Sequence, residues 1–155
     1  MSDVNLYEVA TEAVDGRPAG YEVSCVRVGG LIGASALGLS VYDLPPGQSA
    51  FPYHYELGRE EWLLVLAGRP TLRDPDGEEE LAPGDLVVFP EGEEGAHKVT
   101  NNTDETVRVS MWSNRLEVAT SVYPDAGKVG AWPPGKLFRL ADAVDYYDGE
   151  VPPSD

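Results

Sequence analysis

The chain has 155 residues, of which 42% are hydrophobic, a composition typical of one globular domain with a sizeable core. Its formal net charge of −16 argues against nucleic acid and anionic membrane surfaces as partners, because both repel such a protein. We expect a cytoplasmic protein, since no apolar run could span a bilayer and the N-terminal residues lack the pattern of a signal peptide.

Short apolar runs separated by glycine and proline predict an all-β fold. Regularly spaced short strands of this kind are typical of a sandwich or a closed barrel. The predicted strands, in chain order, cover residues 21–30, 35–44, 60–68, 70–74, 79–84, 85–90, 96–101 and 105–112.

The C-terminal part of the chain has a different pattern. Residues 123–136 are rich in turn formers, and residues 137–149 are predicted to contain a short helix. Neither an internal repeat nor a linker between domains is evident, so we expect one domain over residues 1–155.

The chain contains only two histidines, His54 and His97, and both lie at a turn that enters a predicted strand. In an extended segment residues i and i+2 face the same way, so His54 and Glu56 are expected to share one side. Glu61 opens the next strand on the same face as two aliphatic residues. A buried carboxylate needs a partner, and either a metal ion or an arginine would serve.

Two segments of the chain resemble the two conserved motifs of the cupin superfamily. The segment "PPGQSAFPYHYELGREEWLLVLAGRP" supplies, in the order of the first motif, Gly47, His54, Glu56, Glu61 and Gly68. The segment "LAPGDLVVFPEGEEGAHKVTNNTDETVRV" supplies, for the second motif, Gly84, Pro90, Gly92, His97 and Asn101, with a longer loop before the histidine. The resemblance implies a double-stranded β-helix, or jelly-roll barrel, at about residues 37–114, followed by a short C-terminal extension at about 115–155.

The resemblance also implies a metal site inside the barrel. Carried over residue by residue, the metal ligands are His54, Glu61 and His97, and Glu56 occupies a fourth position where the family usually has histidine. Two imidazoles and two carboxylates suit one divalent ion among Fe, Mn, Ni, Co and Zn. If Glu56 does not bind the ion, it is a candidate catalytic general base.

A simpler interpretation of the same residues stays open at this point. His54 and His97 would then be core histidines, and Glu56 or Glu61 would form a salt bridge with an arginine, Arg69 or Arg73.

The resemblance is compatible with two functions. The first is a divalent-metal-dependent enzyme, such as an oxidoreductase, an isomerase or a lyase, acting on a small oxygen-bearing organic substrate. The alternative is a non-enzymatic module that binds a small molecule as a sensor or carrier. Cupin-like barrels often pair through their outer strands, so a homodimer is also implied. The tail around Tyr123, Trp132 and Phe138 is predicted to cover either the barrel mouth or the neighbouring subunit.

Overall fold

The computed structural model describes residues 3–150, and β-strands form most of its regular structure. The expectation of an all-β fold is confirmed. No helix among these residues is long and apolar enough to cross a membrane. The elements are β1 (Glu12–Ala13), β2 (Ser24–Val26), α1 (Val28–Leu31), β3 (Leu37–Leu44), β4 (Tyr55–Leu57), β5 (Glu61–Ala67), β6 (Thr71–Asp74), β7 (Gly77–Glu80), β8 (Leu86–Phe89), β9 (Lys98–Thr100), β10 (Val107–Asn114), β11 (Ala119–Tyr123), β12 (Lys128–Trp132) and β13 (Lys136–Arg139).

The strands form three antiparallel sheets whose order differs from the order along the chain. The largest sheet runs β1-β2-β3-β10-β5-β8, a second runs β13-β12-β11-β4, and a third runs β7-β6-β9. Strand β10 lies between β3 and β5, so a late strand of the chain joins two earlier ones. Crossovers of this type are typical of a jelly roll, and the predicted jelly-roll barrel is confirmed.

Alternation along the strands separates an inner core from an outer one, because successive side chains point to opposite faces of a sheet. On β5, Leu63 and Val65 belong to the larger core cluster, whereas Leu66 belongs to a second cluster. Residues of the N-terminal segment, including Leu6 and Val9, pack on the second cluster. The N-terminal segment therefore covers part of the outer face of the largest sheet.

Two sequence predictions about local structure are wrong. The predicted strand over 21–30 ends at Val26, because the chain turns into α1, where Gly29 packs tightly against the backbone of β3. The predicted helix over 137–149 is absent from the described residues, apart from one 3-10 turn at Leu140–Asp142. Its first residues instead form β13, which pairs with β12 across a tight turn.

Asn101 of the second motif has a structural role. Its side-chain amide donates hydrogen bonds to the carbonyl oxygens of Leu44 and Glu105, both at 2.7 Å. Its Oδ1 accepts hydrogen bonds from the backbone and the hydroxyl of Thr103. The fully buried side chain therefore closes the loop between β9 and β10 and ties this loop to the end of β3.

We expect Asn101→Ala to lower the free energy of unfolding by about 2–4 kcal/mol, because the Leu44 carbonyl loses its buried side-chain donor and the loop loses its other hydrogen bonds to Asn101. Urea unfolding measures this change. The matched control is Asn102→Ala, since Asn102 makes only an exposed contact with Thr71, and we expect this variant to stay within about 0.5 kcal/mol of the parent. Equal effects of the two substitutions would contradict the structural role of Asn101.

Candidate metal centre

The two histidines lie directly opposite each other on neighbouring segments. The backbone N–H of His54 donates to the carbonyl of His97 at 3.1 Å, and the N–H of His97 donates back to the carbonyl of His54 at 2.8 Å. Residues paired in this way project their side chains to the same side of the local ribbon. This bridge brings together two residues that are 43 positions apart in the sequence.

Glu61 completes a cluster with the two histidines. It opens β5 and pairs in register with Phe89 of β8 and Ser113 of β10. Its Oε2 lies 3.6 Å from Nε2 of His54 and 3.7 Å from Nε2 of His97. One potential ligand atom from each of these three residues lies within 4.8 Å of the others, so the cluster could hold a metal ion.

Backbone carbonyls fix the tautomer of both rings. Nδ1 of His54 lies 2.9 Å from the carbonyl oxygen of Pro52, and Nδ1 of His97 lies 2.9 Å from that of Gly95. A carbonyl only accepts hydrogen bonds, so each Nδ1 carries the hydrogen. In the neutral rings, Nε2 then has a lone pair, which is the arrangement that metal-binding histidines use.

The donor atoms fit one divalent cation. Oε2 of Glu61 and Nε2 of His97 are buried and have no hydrogen-bond partner among residues 3–150. Their separation of 3.7 Å is too long for a hydrogen bond. Two ligands that are each about 2.1 Å from a tetrahedral ion lie about 3.4 Å apart, which is close to this spacing. A divalent cation would satisfy acceptors that otherwise face each other.

The arginines considered as alternative partners lie elsewhere. Arg69 donates to Glu80 at 2.6 Å, and Arg73 forms two hydrogen bonds with Asp125. Neither arginine pairs with Glu61, whose contacts with charged side chains include both histidines. The alternative interpretation, in which Arg69 or Arg73 forms a salt bridge with Glu56 or Glu61, therefore does not hold.

Burial and charge set the protonation of the cluster. Burial and the nearby charge of His54 lower the pKa of His97 to about 4. Burial acts to lower the pKa of His54 as well, but Glu61 and other acceptors outweigh it and the pKa is raised. Burial acts to raise the pKa of Glu61, but the two histidines and Arg59 outweigh it and the pKa is lowered. Glu61 is thus a carboxylate, and a metal ion would compete with a proton for the lone pair of His54.

Glu56 stands beside this cluster. Its Oε1 lies 3.9 Å from Nε2 of His54 and accepts a hydrogen bond from the hydroxyl of Ser121 at 2.6 Å. Its Oε2 is buried and has no hydrogen-bond partner among the described residues, and the nearest guanidinium nitrogen, of Arg59, is 3.8 Å away. Burial, reinforced by Glu61, raises the pKa of Glu56, while Ser121 and Arg59 act in the opposite direction.

A close backbone approach positions His97. A Cβ atom at Gly95 would lie 1.8 Å from the carbonyl oxygen of Pro90, so only glycine fits there. The 3-10 turn Glu93–Gly95 can therefore pass close to Pro90, and the Gly95 carbonyl reaches the His97 ring. Gly95 lies in the lengthened loop before His97, and this extra length is the feature of the sequence that could have indicated its role. The ring of Phe89 stacks on His97 with the centroids 3.7 Å apart.

The C-terminal extension forms a wall of the cavity beside the cluster. This cavity has a volume of about 710 Å³ and opens onto His54, Glu56 and Glu61. Strand β11 pairs with β4 and places Ser121 opposite Glu56, while Trp132 on β12 donates to the Ser121 hydroxyl at 2.9 Å.

Of the three aromatic residues predicted to cover the barrel mouth or a neighbouring subunit, Tyr123 and Trp132 line this cavity, whereas Phe138 is exposed on β13. Sequence reasoning did not identify Arg27 and Tyr42 as cavity residues, because both lie in strand-like segments outside the two motifs.

Comparison with known proteins agrees with this fold. Residues 40–114 match the family model of the cupin domain. A crystal structure from Acidithiobacillus ferrooxidans, provisionally assigned as a sugar phosphate isomerase, has a TM-score of 0.80 and 26% identity, with 90% of this chain and 91% of that chain covered. A sugar phosphate isomerase of the cupin superfamily from Silicibacter pomeroyi has a TM-score of 0.80 and 24% identity, with 95% and 98% covered.

A more distant likeness is to the polyketide cyclase RemF from Streptomyces resistomycificus, with a TM-score of 0.60 and 26% identity over 74% of this chain and 79% of that one. A search of curated proteins gave no significant match. The matching family model, the jelly-roll topology and the shared fold lead to one conclusion: the chain belongs to the cupin superfamily.

Proposed function

We propose that this cupin is a divalent-metal-dependent enzyme that moves protons on a small oxygen-bearing organic substrate, with isomerisation as the reaction type. The observation that carries this proposal is the convergence of His54, Glu61 and His97 beside the buried carboxylate of Glu56, at one end of a cavity of about 710 Å³. The three clustered residues would hold one ion among Fe, Mn, Ni, Co and Zn. Such an ion would polarise a substrate carbonyl as a Lewis acid.

Glu56 would be the catalytic base of this reaction. Its Oε2 is unoccupied by any hydrogen bond within the described residues, while Ser121 holds Oε1 and fixes the carboxylate plane. The carboxylate would take a proton from the carbon beside the substrate carbonyl and return it to the former carbonyl carbon. The carbon that loses its proton would carry a hydroxyl group, whose proton would move to the former carbonyl oxygen while its own oxygen becomes the new carbonyl, so that atoms balance and neither oxidation nor hydrolysis occurs overall.

The similarity to the Acidithiobacillus ferrooxidans protein supports the choice of isomerisation. That protein carries a provisional assignment as a sugar phosphate isomerase, and the likeness extends over 90% of this chain at 26% identity. A carboxylate beside a Lewis acid can carry out proton transfer between neighbouring carbons, because the base removes the proton and the cation would stabilise the charge on the carbonyl oxygen.

We also propose a homodimer that forms through the outer face of the largest sheet. Three apolar side chains on this face are exposed: Trp62 by 42%, Leu86 by 57% and Val88 by 50%. Trp62 pairs with Val88 in register between β5 and β8, so these two side chains adjoin. An adjoining group of large apolar side chains at a sheet edge is characteristic of a protein interface.

For the metal, we expect the parent to hold about one equivalent per chain after purification without a histidine tag or chelator. His97→Ala should lose this metal, and Glu61→Gln should lose more of it than Glu56→Gln. Elemental analysis measures the content, and Glu78→Gln on exposed β7 is the control. Metal retention by His97→Ala at the parent level would refute the ligand set.

For catalysis, we expect Glu56→Gln to keep the metal and to lose about 10²–10⁴-fold in rate, because the general base is removed. The assay is NMR in D₂O with a panel of small aldoses, ketoses and their phosphate esters, and it follows deuterium at the carbon beside the carbonyl. If the metal-loaded parent exchanges no proton in any of these compounds, the isomerase proposal is wrong and binding without turnover becomes the better account.

For assembly, we expect Val88→Asp to convert the dimer into a monomer, because the charge would be buried without a partner. Light scattering coupled to size-exclusion chromatography reports the mass. Glu79→Gln, on exposed β7 in another sheet, is the control and should remain dimeric. A parent that elutes as a monomer at all concentrations would rule out this interface.

A further inference from the structure

Two arginines line the cavity that opens onto the candidate metal centre. Arg27 lies between β2 and α1, and Arg59 lies in the loop between β4 and β5, so they come from parts of the chain that are distant in sequence. The chain as a whole is strongly acidic, with 27 aspartates and glutamates against 11 lysines and arginines. In such a protein the acidic residues already supply the charge that keeps the chain soluble. Two arginines that line one cavity are therefore candidates for ligand binding.

Arg59 differs from the arginines that form ion pairs elsewhere in the protein. Arg69, Arg73 and Arg108 each donate to a carboxylate at 2.6–2.7 Å. The closest carboxylate contact of Arg59, to Oε2 of Glu56, is 3.8 Å, which is too long for a hydrogen bond.

The side chain of Arg59 is only 24% exposed, and its Nε is buried with no acceptor among residues 3–150. A buried, charged donor without an acceptor is unfavourable unless a ligand provides one.

With a divalent cation at the cluster, the electrostatics of the cavity would favour a negatively charged ligand. The charged groups on its wall are Glu56, Glu61, Arg27 and Arg59, together with the titratable His54. A divalent cation at the cluster would leave this wall with a net positive charge. A guanidinium can bind a carboxylate or phosphate through two parallel hydrogen bonds, and such pairs strengthen where water is excluded. Apolar side chains, among them Met111 and Trp132, line the remaining wall and suit a short carbon skeleton.

We propose that the substrate is a small organic anion whose carboxylate or phosphate group is bound by Arg59, with Arg27 contributing at the exposed mouth of the cavity. This inference rests on the proposed function, because the anion would be anchored so that its carbonyl end reaches the metal cluster and Glu56. The cavity volume of about 710 Å³ lies within the usual range of small-molecule sites and accommodates a small organic anion. Arg59 is thus a specificity-determining residue, whereas Glu56 acts on the reacting carbon.

The test is isothermal titration of the metal-loaded protein with inorganic phosphate and with malonate, in about 0.15 M salt so that nonspecific attraction is screened. Glycerol serves as the uncharged probe and should not bind. We expect Arg59→Gln to weaken binding of the preferred anion by about 10–100-fold, because a charge-assisted pair is lost. The anion affinity of Arg59→Lys should lie between those of the parent and Arg59→Gln, since lysine keeps the charge but not the paired donors. Arg27→Gln should weaken binding by only about 2–5-fold, because that side chain is exposed.

Arg69→Gln is the control, because Arg69 forms an exposed ion pair with Glu80 and does not line the cavity. Parent-like anion affinity in Arg59→Gln, an equal loss in Arg69→Gln, or no binding of either anion to the parent would overturn the inference. Preference for phosphate over malonate, or the reverse, identifies the anionic group.

Titration of the metal-stripped parent separates this inference from the proposed function. Binding that still depends on Arg59 in a chain that never retains metal would support the anion site and refute the metalloenzyme. If the parent retains one equivalent of metal and Arg59→Gln binds the anion as the parent does, the metal site is supported and the anion site is refuted.

Discussion

The site depends on the two-way backbone bridge between His54 and His97. Each residue donates its N–H to the carbonyl of the other, and the two imidazoles are thereby placed side by side. Glu61 reaches the same point from β5, which β8 and β10 hold on either side. A shift of one residue in this pairing would send the side chains to the opposite face. The register of the sheets therefore determines whether a metal cluster can exist.

Hydrogen-bond acceptors without a donor are the feature of the His54–Glu61–His97 cluster that suits it to a cation. Carbonyls of Pro52 and Gly95 hold the Nδ1 hydrogens of the two histidines, so the Nε2 atoms are left to face Glu61. Aromatic rings lie against both imidazoles, with Phe89 stacked on His97 and Tyr123 on His54, and they limit rotation of the imidazoles. Buried acceptors that face each other without a donor are unfavourable in the metal-free protein. A bound cation would satisfy them. This contrast is the physical basis of the proposed function.

The C-terminal extension contributes to the wall of the candidate site as well as to the fold. Ser121 on β11 donates to Glu56, and Trp132 on β12 donates to Ser121. The carboxylate proposed as the base is thus held by residues that lie beyond the matched cupin domain, which ends at residue 114. The substrate specificity of this chain would accordingly depend on the extension and on Arg59, rather than on the shared motif residues alone.

The all-β class was predicted from local patterns in the chain, whereas the jelly roll and the residues of the cluster were implied by the resemblance of two segments to the cupin motifs. Alternation places His54 and Glu56 on one side, and the motif spacing identifies Glu61 and His97. Other features depend on contacts distant in sequence and were missed. The tight approach of Gly95 to Pro90 depends on how a loop folds back.

The strands of the extension were hidden among turn-forming residues, because the stability of β12 and β13 comes from their pairing with each other and with β11. The partner of Arg73 is equally nonlocal, because Asp125 lies 52 residues away. Propensity and periodicity carry no information about such pairs.

The most direct test of the central claim is a crystal structure of the protein as purified, with anomalous diffraction measured at the absorption edge of the bound metal. The account predicts a single anomalous peak about 2.0–2.3 Å from Nε2 of His54, Nε2 of His97 and a carboxylate oxygen of Glu61. The same peak should lie farther from Glu56, whose carboxylate stays on Ser121. A peak at another position, or none after soaking with Mn, Fe, Co, Ni and Zn, would contradict the account and return the two histidines to the core.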